Sequence, residues 1–484
     1  MKGEAMDNFG ILTLIPPIVI IVFALVTRRT WEALLLGSMI AFFYTAKWGV
    51  VGETINQLQE TFANEAWILM VMFMLGAFAF LLSASKGSYA FGMLIRKVAN
   101  TEKKTLMGAW VLGILIFMDD YLNMLTVSSA TLENSDRNRT PREMLAYVMD
   151  STGAPVCVLI PISSWAVYFA GVMEECMGDN TQWGTGMEMY IHCIPYLFYA
   201  WAAVICVPLV ILGVIPKLGG MKKAYERVAN GGNVWPDDSA DLNADHEVIE
   251  EVKGAAVEGN EITQIEMDSK EAVKDLDRFG LRIAAFFIPI LVIVFVTIKT
   301  GDMIMGLMWA LIVMLFFYVP TKLLSFGQFC EEFANGCAYM VGMNLIMIGA
   351  LTVKVSMDSI GLADFVIGVA LPVLSPKIFY ALAFILVAAL SFVTGSNWGI
   401  PAITFPILVP LALQLGVSPV ITLACITCAG TFGSHVCFYS DATVLTSQCC
   451  KIKNMNHALT QFPYGLICAA ASFIAYVILG FVTC

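Results

Sequence analysis

Four stretches of this chain place carboxylates, hydroxyls and amides inside apolar runs. Oxygen ligands in such surroundings suit the binding of a proton or a hard monovalent cation. The first is Asp119-Asp120-Tyr121-Leu122-Asn123, which follows the apolar residues 110–118 and precedes Met124, Leu125 and Val127. Neighbouring carboxylates on a helix point about 100° apart, so both cannot be turned safely towards lipid. A charge buried at such depth costs several kcal/mol unless it is paired, hydrated or protonated. The bland alternative, a helix end with two solvated Asp, fits poorly with the apolar residues that follow.

The second stretch is Asp150-Ser151-Thr152-Gly153-Ala154-Pro155, continued by Pro161-Ile162-Ser163-Ser164-Trp165. Gly and Pro loosen a helix and free backbone carbonyls, while Asp150, Ser151, Thr152 and Ser164 add further oxygens, so a sodium site is chemically sensible. A proline kink with Asp150 as an N-cap is the competing reading. The third, Thr394-Gly395-Ser396-Asn397-Trp398-Gly399, divides two apolar runs, and Pro401 suits the first turn of a new helix. Ser396 and Asn397 there could complete an ion shell or contact a solute, unless the stretch is an ordinary turn. The fourth, residues 430–443, holds Ser434, His435, Ser440, Asp441 and Thr443. His435 could relay a proton near neutral pH or be a packed core histidine. Asp120, Asp150, Thr152 and Asp441 make the expected Na+ ligand set.

Lys354 could snorkel to an interface or pair with a buried carboxylate. His192, His246 and His457 read as interfacial or loop residues, with no role. Cys425-x-x-Cys428 lies in an apolar run with no second ligand pair, so packing is expected there rather than zinc or redox work.

These stretches must be positioned by membrane helices. Hydrophobic residues make up 58% of 484 and charged ones 13%, with mean hydropathy +0.77. A soluble domain carries about 25% charged residues. Apolar runs recur at about the 20-residue length that spans a bilayer, at 8–27, 31–48, 67–84, 105–119, 143–172, 190–216, 279–298, 302–319, 337–355, 378–394, 420–445 and 460–483. Shorter ones at 88–98, 124–130, 361–375 and 401–415 fit half-helices or re-entrant segments. Residues 11–27 end in Arg28-Arg29 without a cleavage site, which reads as a first membrane helix.

The net charge of −11 is concentrated in residues 217–278, where 15 Asp or Glu face 8 Lys or Arg. That stretch reads as a solvated, flexible linker between an N-terminal repeat (1–216) and a C-terminal repeat (279–484). No feature suggests nucleic acid. Arg28-Arg29 and Lys217, Lys222, Lys223 and Arg227 place the first connection and the linker in the cytoplasm.

The halves align with each other. Gly76 and Ser83 match Gly349 and Ser356 at an offset of 273, Asp119–Asn123 matches 395–399 at 276, and Gly153–Cys157 matches 433–437 at 280. Polar breaks that recur at equivalent positions point to two inverted-topology repeats with discontinuous helices or re-entrant hairpins. The fold class is thus an all-α polytopic membrane protein of roughly 10–14 membrane segments. That pattern belongs to secondary transporters, whose site lies where the repeats meet.

On these residues the sequence resembles the NhaC-type sodium/proton antiporter family of the ion-transporter superfamily. The likeness rests on Phe117-Met118-Asp119-Asp120-Tyr121-x-Asn123, Arg142-x-x-x-Ala146-Tyr147-x-x-Asp150-Ser151-Thr152-x-Ala154-Pro155 and Pro161-Ile162-Ser163-Ser164-Trp165. The second half adds Gly395-Ser396-x-Trp398-Gly399, Ser440-Asp441-x-Thr443 and Thr460-Gln461-x-Pro463-Tyr464. It covers nearly the whole chain except the acidic linker. The resemblance implies a multi-pass carrier of the bacterial inner membrane, with Na+ and H+ as transported or coupling ions and no other cofactor. Where the family commonly has Asp after the Gly of its second-half break, this chain has Ser434.

Competition of Na+ and H+ for midplane carboxylates yields exchange, because desolvation favours their neutral or cation-bound forms. Ser396, Asn397, Ser434 and His435 could instead hold an organic acid or amino acid coupled to Na+ or H+. A channel fits less well, since it favours continuous pore-lining helices. No HExxH, GxSxG or P-loop occurs in a supporting context, so no enzyme activity is expected. The partners expected are ions, a small solute and the bilayer, with a homodimer left open.

Overall fold

The computed structural model describes residues 9–27, 29–64, 66–87, 90, 100–177, 184–243, 278–300, 302–370, 374–394, 398–438 and 440–483. Among these no strand occurs. The first half contains α1 (Ile15–Thr27), α2 (Thr30–Ala46), α3 (Val50–Asn64), α4 (Ala66–Ala84), α5 (Glu102–Leu115) and α6 (Asp120–Arg137). It continues through α7 (Arg142–Thr152), α8 (Ala154–Leu159), α9 (Ser164–Met177), α10 (Gly186–Cys193) and α11 (Phe198–Leu212). A further helix, α12 (Gly219–Ala229), follows.

The second half repeats the series. It begins with α13 (Phe279–Thr300), α14 (Met303–Tyr318), α15 (Phe326–Tyr339), α16 (Val341–Ser359) and α17 (Leu362–Ala370). It ends with α18 (Pro376–Thr394), α19 (Gly399–Gln414), α20 (Pro419–Val436), α21 (Asp441–Cys449) and α22 (Asn454–Thr483).

Six of the described helical stretches are long and apolar enough to cross a membrane, and two bent pairs raise the number to eight. The pairs bend by 41° between 142–159 and 164–177, and by 51° between 186–196 and 198–212. The 41° bend falls in the stretch 161–165, and helices stop at Leu115, Thr152 and Val436 beside three of the expected breaks. The 51° bend at Leu197 instead interrupts the run 190–216 that reads as one span, and residues 395–397 lie outside the described residues. Apolar helices of 10–17 residues, including Met303–Tyr318 and Gly399–Gln414, complete the bundle.

Packing between the halves is reciprocal. α4 lies against α14 and α15, and its counterpart α16 lies against α2 and α3. Likewise α7 touches α22 while α20 touches α11, and α6 touches α21 while α19 touches α9. This exchange of equivalent contacts is what a repeat related by a pseudo-twofold axis produces.

Small residues make a close crossing between the halves. A Cβ on Gly336 would collide with the Gly76 carbonyl, and one on Gly76 with the Gly336 carbonyl. α4 and α15 thus touch backbone to backbone, as membrane helices do where small residues face each other. Gly336→Ala is expected to destabilise the protein by about 1–3 kcal/mol through overpacking. Gly327→Ala on the same helix, with open space around it, is expected to leave the unfolding midpoint in detergent unchanged. Equal midpoints for the two variants would refute the close contact.

The linker departs from expectation. Residues 217–243 are not a solvated loop: α12 buries Met221, Ala224 and Val228, and Val234, Trp235, Ser239 and Asn243 beyond it are buried too. The i, i+3, i+7 spacing of those three residues gives α12 an apolar face that its charged composition conceals. The remainder of the linker up to residue 277, including His246, lies outside the described residues.

Candidate functional site

The breaks create two adjoining polar clusters. The first forms where α5 stops and α6 begins. Asp119 is the N-cap of α6 and accepts from the Leu122 amide at 3.1 Å, while Ser164 at the start of α9 donates to its other oxygen at 3.4 Å. Asp120 occupies the first helical turn, where the positive end of the helix dipole favours a negative charge. Its side chain is wholly buried, and neither carboxylate oxygen makes a hydrogen bond of full geometry, the Trp165 indole N–H being the neighbouring donor.

Asn123, one turn on, donates from its amide nitrogen to the carbonyls of Gly113 at 2.6 Å, Ile116 at 3.0 Å and Thr152 at 3.0 Å. Those carbonyls are freed by the ends of α5 and α7, so Asn123 stitches the two broken segments together. Its own carbonyl oxygen is buried and unpartnered.

The second cluster surrounds Asp150 in the last turn of α7 and draws on both halves. Asp150 Oδ2 accepts from Gln461 at 2.8 Å and from Thr443 at 3.4 Å, and faces His457 Nε2 at 2.9 Å. Its Oδ1 is buried and unpartnered. Gln461 also donates to the His435 carbonyl. His435 lies between Ser151 Oγ at 2.9 Å and Tyr199 Oη at 2.7 Å. Ser440, capping α21, donates to the Ser434 carbonyl at 2.6 Å, leaving the buried Ser434 hydroxyl unpartnered.

The clusters meet at Gly153. A Cβ there would lie 3.5 Å from Asp120 Cβ and 2.9 Å from Met124 Cε. Gly153 therefore lets α6 approach the break in α7 closely enough to bring the two carboxylates into one region. Among the described residues no Lys or Arg forms an ion pair with Asp119, Asp120 or Asp150, and the imidazole facing them is that of His457, against Asp150.

Several residues differ from the sequence reading. Asp150 does not cap a helix start. The Thr152 hydroxyl is turned away from the carboxylates, donating to Val148 and Met149 carbonyls and pressing on Gly113, so its contribution is its main-chain carbonyl. Ser396 and Asn397 lie outside the described residues, as does the side chain of Asp441, the first residue of α21. No group of three or more His, Cys, Asp or Glu among the described residues could hold a metal. Any cation would be held by carboxylate, amide, hydroxyl and carbonyl oxygens.

His457, given no role from the sequence, is buried against Asp150, and Gln461 one turn later touches it as well. Lys354 is largely buried and pairs with Glu175 at 3.2 Å and Asp358 at 3.3 Å rather than with a carboxylate of either cluster. Cys425 and Cys428 are free and buried, in keeping with packing.

An all-helical bundle of interlocked halves, with bent membrane helices, defines the class as a secondary membrane transporter. The chain belongs to the Na+/H+ antiporter family, whose model matches residues 156–481. A protein of Haemophilus influenzae, described only as uncharacterized, is 24% identical over 492 residues, covering 98% of this chain and 91% of that protein. MtrF of Neisseria gonorrhoeae, reported as illuminating a class of antimetabolite efflux pumps, shares the fold with TM-score 0.61 at 13% identity, over 97% of this chain and 96% of MtrF. The Alcanivorax borkumensis YdaH transporter, reported to have an unusual topology, matches with TM-score 0.55 at 12% identity over 89% of each chain.

Proposed function

We propose that this transporter exchanges Na+ for H+ across a bacterial inner membrane, with Asp120 and Asp150 binding the two ions in turn. The observation carrying this reading is the set of buried oxygens that make no full hydrogen bond: both of Asp120, Oδ1 of Asp150 and Oδ1 of Asn123. A carboxylate removed from water and short of full hydrogen bonding is too costly to leave bare. It takes up a proton or a cation, and because one site accepts either, binding one displaces the other. Movement of the loaded site between the two faces then gives exchange, while the bare charged site resists transfer.

Within this scheme Gln461, Thr443 and His457 hold Asp150 Oδ2 and leave Oδ1 for the ion, and Asn123 offers its carbonyl oxygen. Ser434 stands where a relative's carboxylate would be, so the site relies on fewer charges. In proteoliposomes, an imposed Na+ gradient is expected to drive proton movement, and Asp150→Asn to remove it. Unchanged exchange in that variant would overturn the assignment.

A second reading, a carrier of an organic acid or amino acid coupled to Na+ or H+, is favoured by the unpartnered Ser434 hydroxyl near the breaks. Solute-dependent thermal stabilisation would distinguish it.

A further inference from the structure

Arg142, at the start of α7, is the most enclosed cation described, and it serves no ion site. Its guanidinium forks onto Asp136 with bonds of 3.0 and 2.8 Å, donates to Asn243 at 2.5 Å and to the Cys450 carbonyl at 3.2 Å, and lies 4.8 Å from the Trp235 ring centre. Its backbone amide donates to the Val234 carbonyl at 2.9 Å. Asn243 in turn donates to the Lys451 carbonyl at 2.9 Å. Ser239 accepts from the Lys453 amide at 3.0 Å, and Asp238 from Asn456 at 2.7 Å.

Residues 234–243 therefore grip both walls of the Asp150 site from below. Asp150 lies eight residues beyond Arg142 on α7, about 12 Å along the helix. His457, which faces Asp150, directly follows Asn456 on α22. The Cys450 thiol fills the space between, touching Met149 Sδ at 3.6 Å next to Asp150.

We propose that residues 234–243 are a latch that closes the linker-side end of the Asp150 site by tying the start of α7 to the start of α22. The latch releases when ions enter or leave from that side. One repeat supplies α7 and the other α22, so the connection between the halves doubles as a gate between them. The inference rests on the proposed role of Asp150 as the ion site. Strength and reversibility both follow from its chemistry: the bonds are polar and water can replace them, unlike the apolar crossing of α4 and α15.

The test is maleimide labelling of Cys450 in the whole transporter, read peptide by peptide by mass spectrometry. Cys450 is fully buried, so its labelling reports opening. Asn243→Ala and, as a milder change, Ser239→Ala are each expected to speed it about tenfold, the effect of losing one or two buried hydrogen bonds. Labelling of Cys193 and Cys425, buried elsewhere, is expected to stay unchanged. An unchanged rate at Cys450, or equal acceleration at all three cysteines, overturns the latch. A parallel arm adds saturating Na+, expected to slow labelling at Cys450. If the variants open selectively but Na+ has no effect, the ion assignment fails and the latch stands.

Discussion

Asp120→Asn is expected to abolish Na+-driven proton movement, a loss of at least about a hundredfold, without lowering the unfolding midpoint. The amide keeps the shape of the side chain but can neither release a proton nor neutralise a cation, so no turn of an exchange cycle can use it. Stability moves differently, because Asp120 makes no hydrogen bond of full geometry and an amide oxygen in its place still accepts from the neighbouring Trp165 indole N–H. Removing one member of a satisfied pair strands the other, whereas removing a solitary buried charge strands nothing. The thermal response to sodium separates the cases. A ligand that binds only the folded protein stabilises it by about 2.7 kcal/mol at a hundred times its Kd. The wild type is expected to show that rise with Na+, and the Asn variant to show little of it. A variant that keeps both exchange and the Na+-dependent rise would remove Asp120 from the site.

The two carboxylates play unequal parts. Asp150 Oδ2 is held by donors from α21 and α22, so its position depends on how the halves are docked. Asp120 lies at the break between α5 and α6, and what surrounds it there, Asn123 tying α5 to α7 and Gly153 at the α7 break, belongs to one half. A change in the docking of the repeats thus alters the ligation of Asp150 first. That asymmetry suits the proposed exchange, in which the ion would be released as the repeats change their docking.

What could be read from the sequence follows from what is local. Asp119, Asp120 and Asp150 announce themselves because a carboxylate in an apolar run has few innocent explanations, and Gly153 and Pro155 mark the break beside Asp150. His457 carries no such signal. Lys451, Lys453 and Asn454 precede it, so it reads as an interfacial residue, and only the approach of α22 beneath α21 buries it. Gln461 was visible as part of a motif but not as a ligand, since its partner lies 311 residues away along the chain. The linker misled for a related reason. Its charge dominates its composition, while Trp235 and the three apolar residues of α12, few but well spaced, decide where 217–243 goes. Trp235 amid so polar a stretch was the available clue.

Arg142→Ala is expected to cost about 3–5 kcal/mol of stability, the range for breaking a buried ion pair by removing one partner. The loss comes mainly from what is left behind. Asp136 keeps a charge that is 14% exposed, Asn243 and the Cys450 carbonyl each lose a donor, and a void opens against Trp235. Arg142→Lys is expected to recover less than half, because one ammonium cannot fork onto Asp136 and also reach Asn243 and Cys450. Arg137→Ala gives the contrast: its pair with Glu133 spans 4.0 Å, with side chains 65% and 71% exposed, and such pairs contribute about 0–1 kcal/mol. Denaturant unfolding in detergent checks the order Arg142→Ala, Arg142→Lys, Arg137→Ala from most to least destabilised. An Arg142→Ala midpoint close to that of Arg137→Ala would mean that the polar node joining linker, α7 and α22 does not hold the halves together.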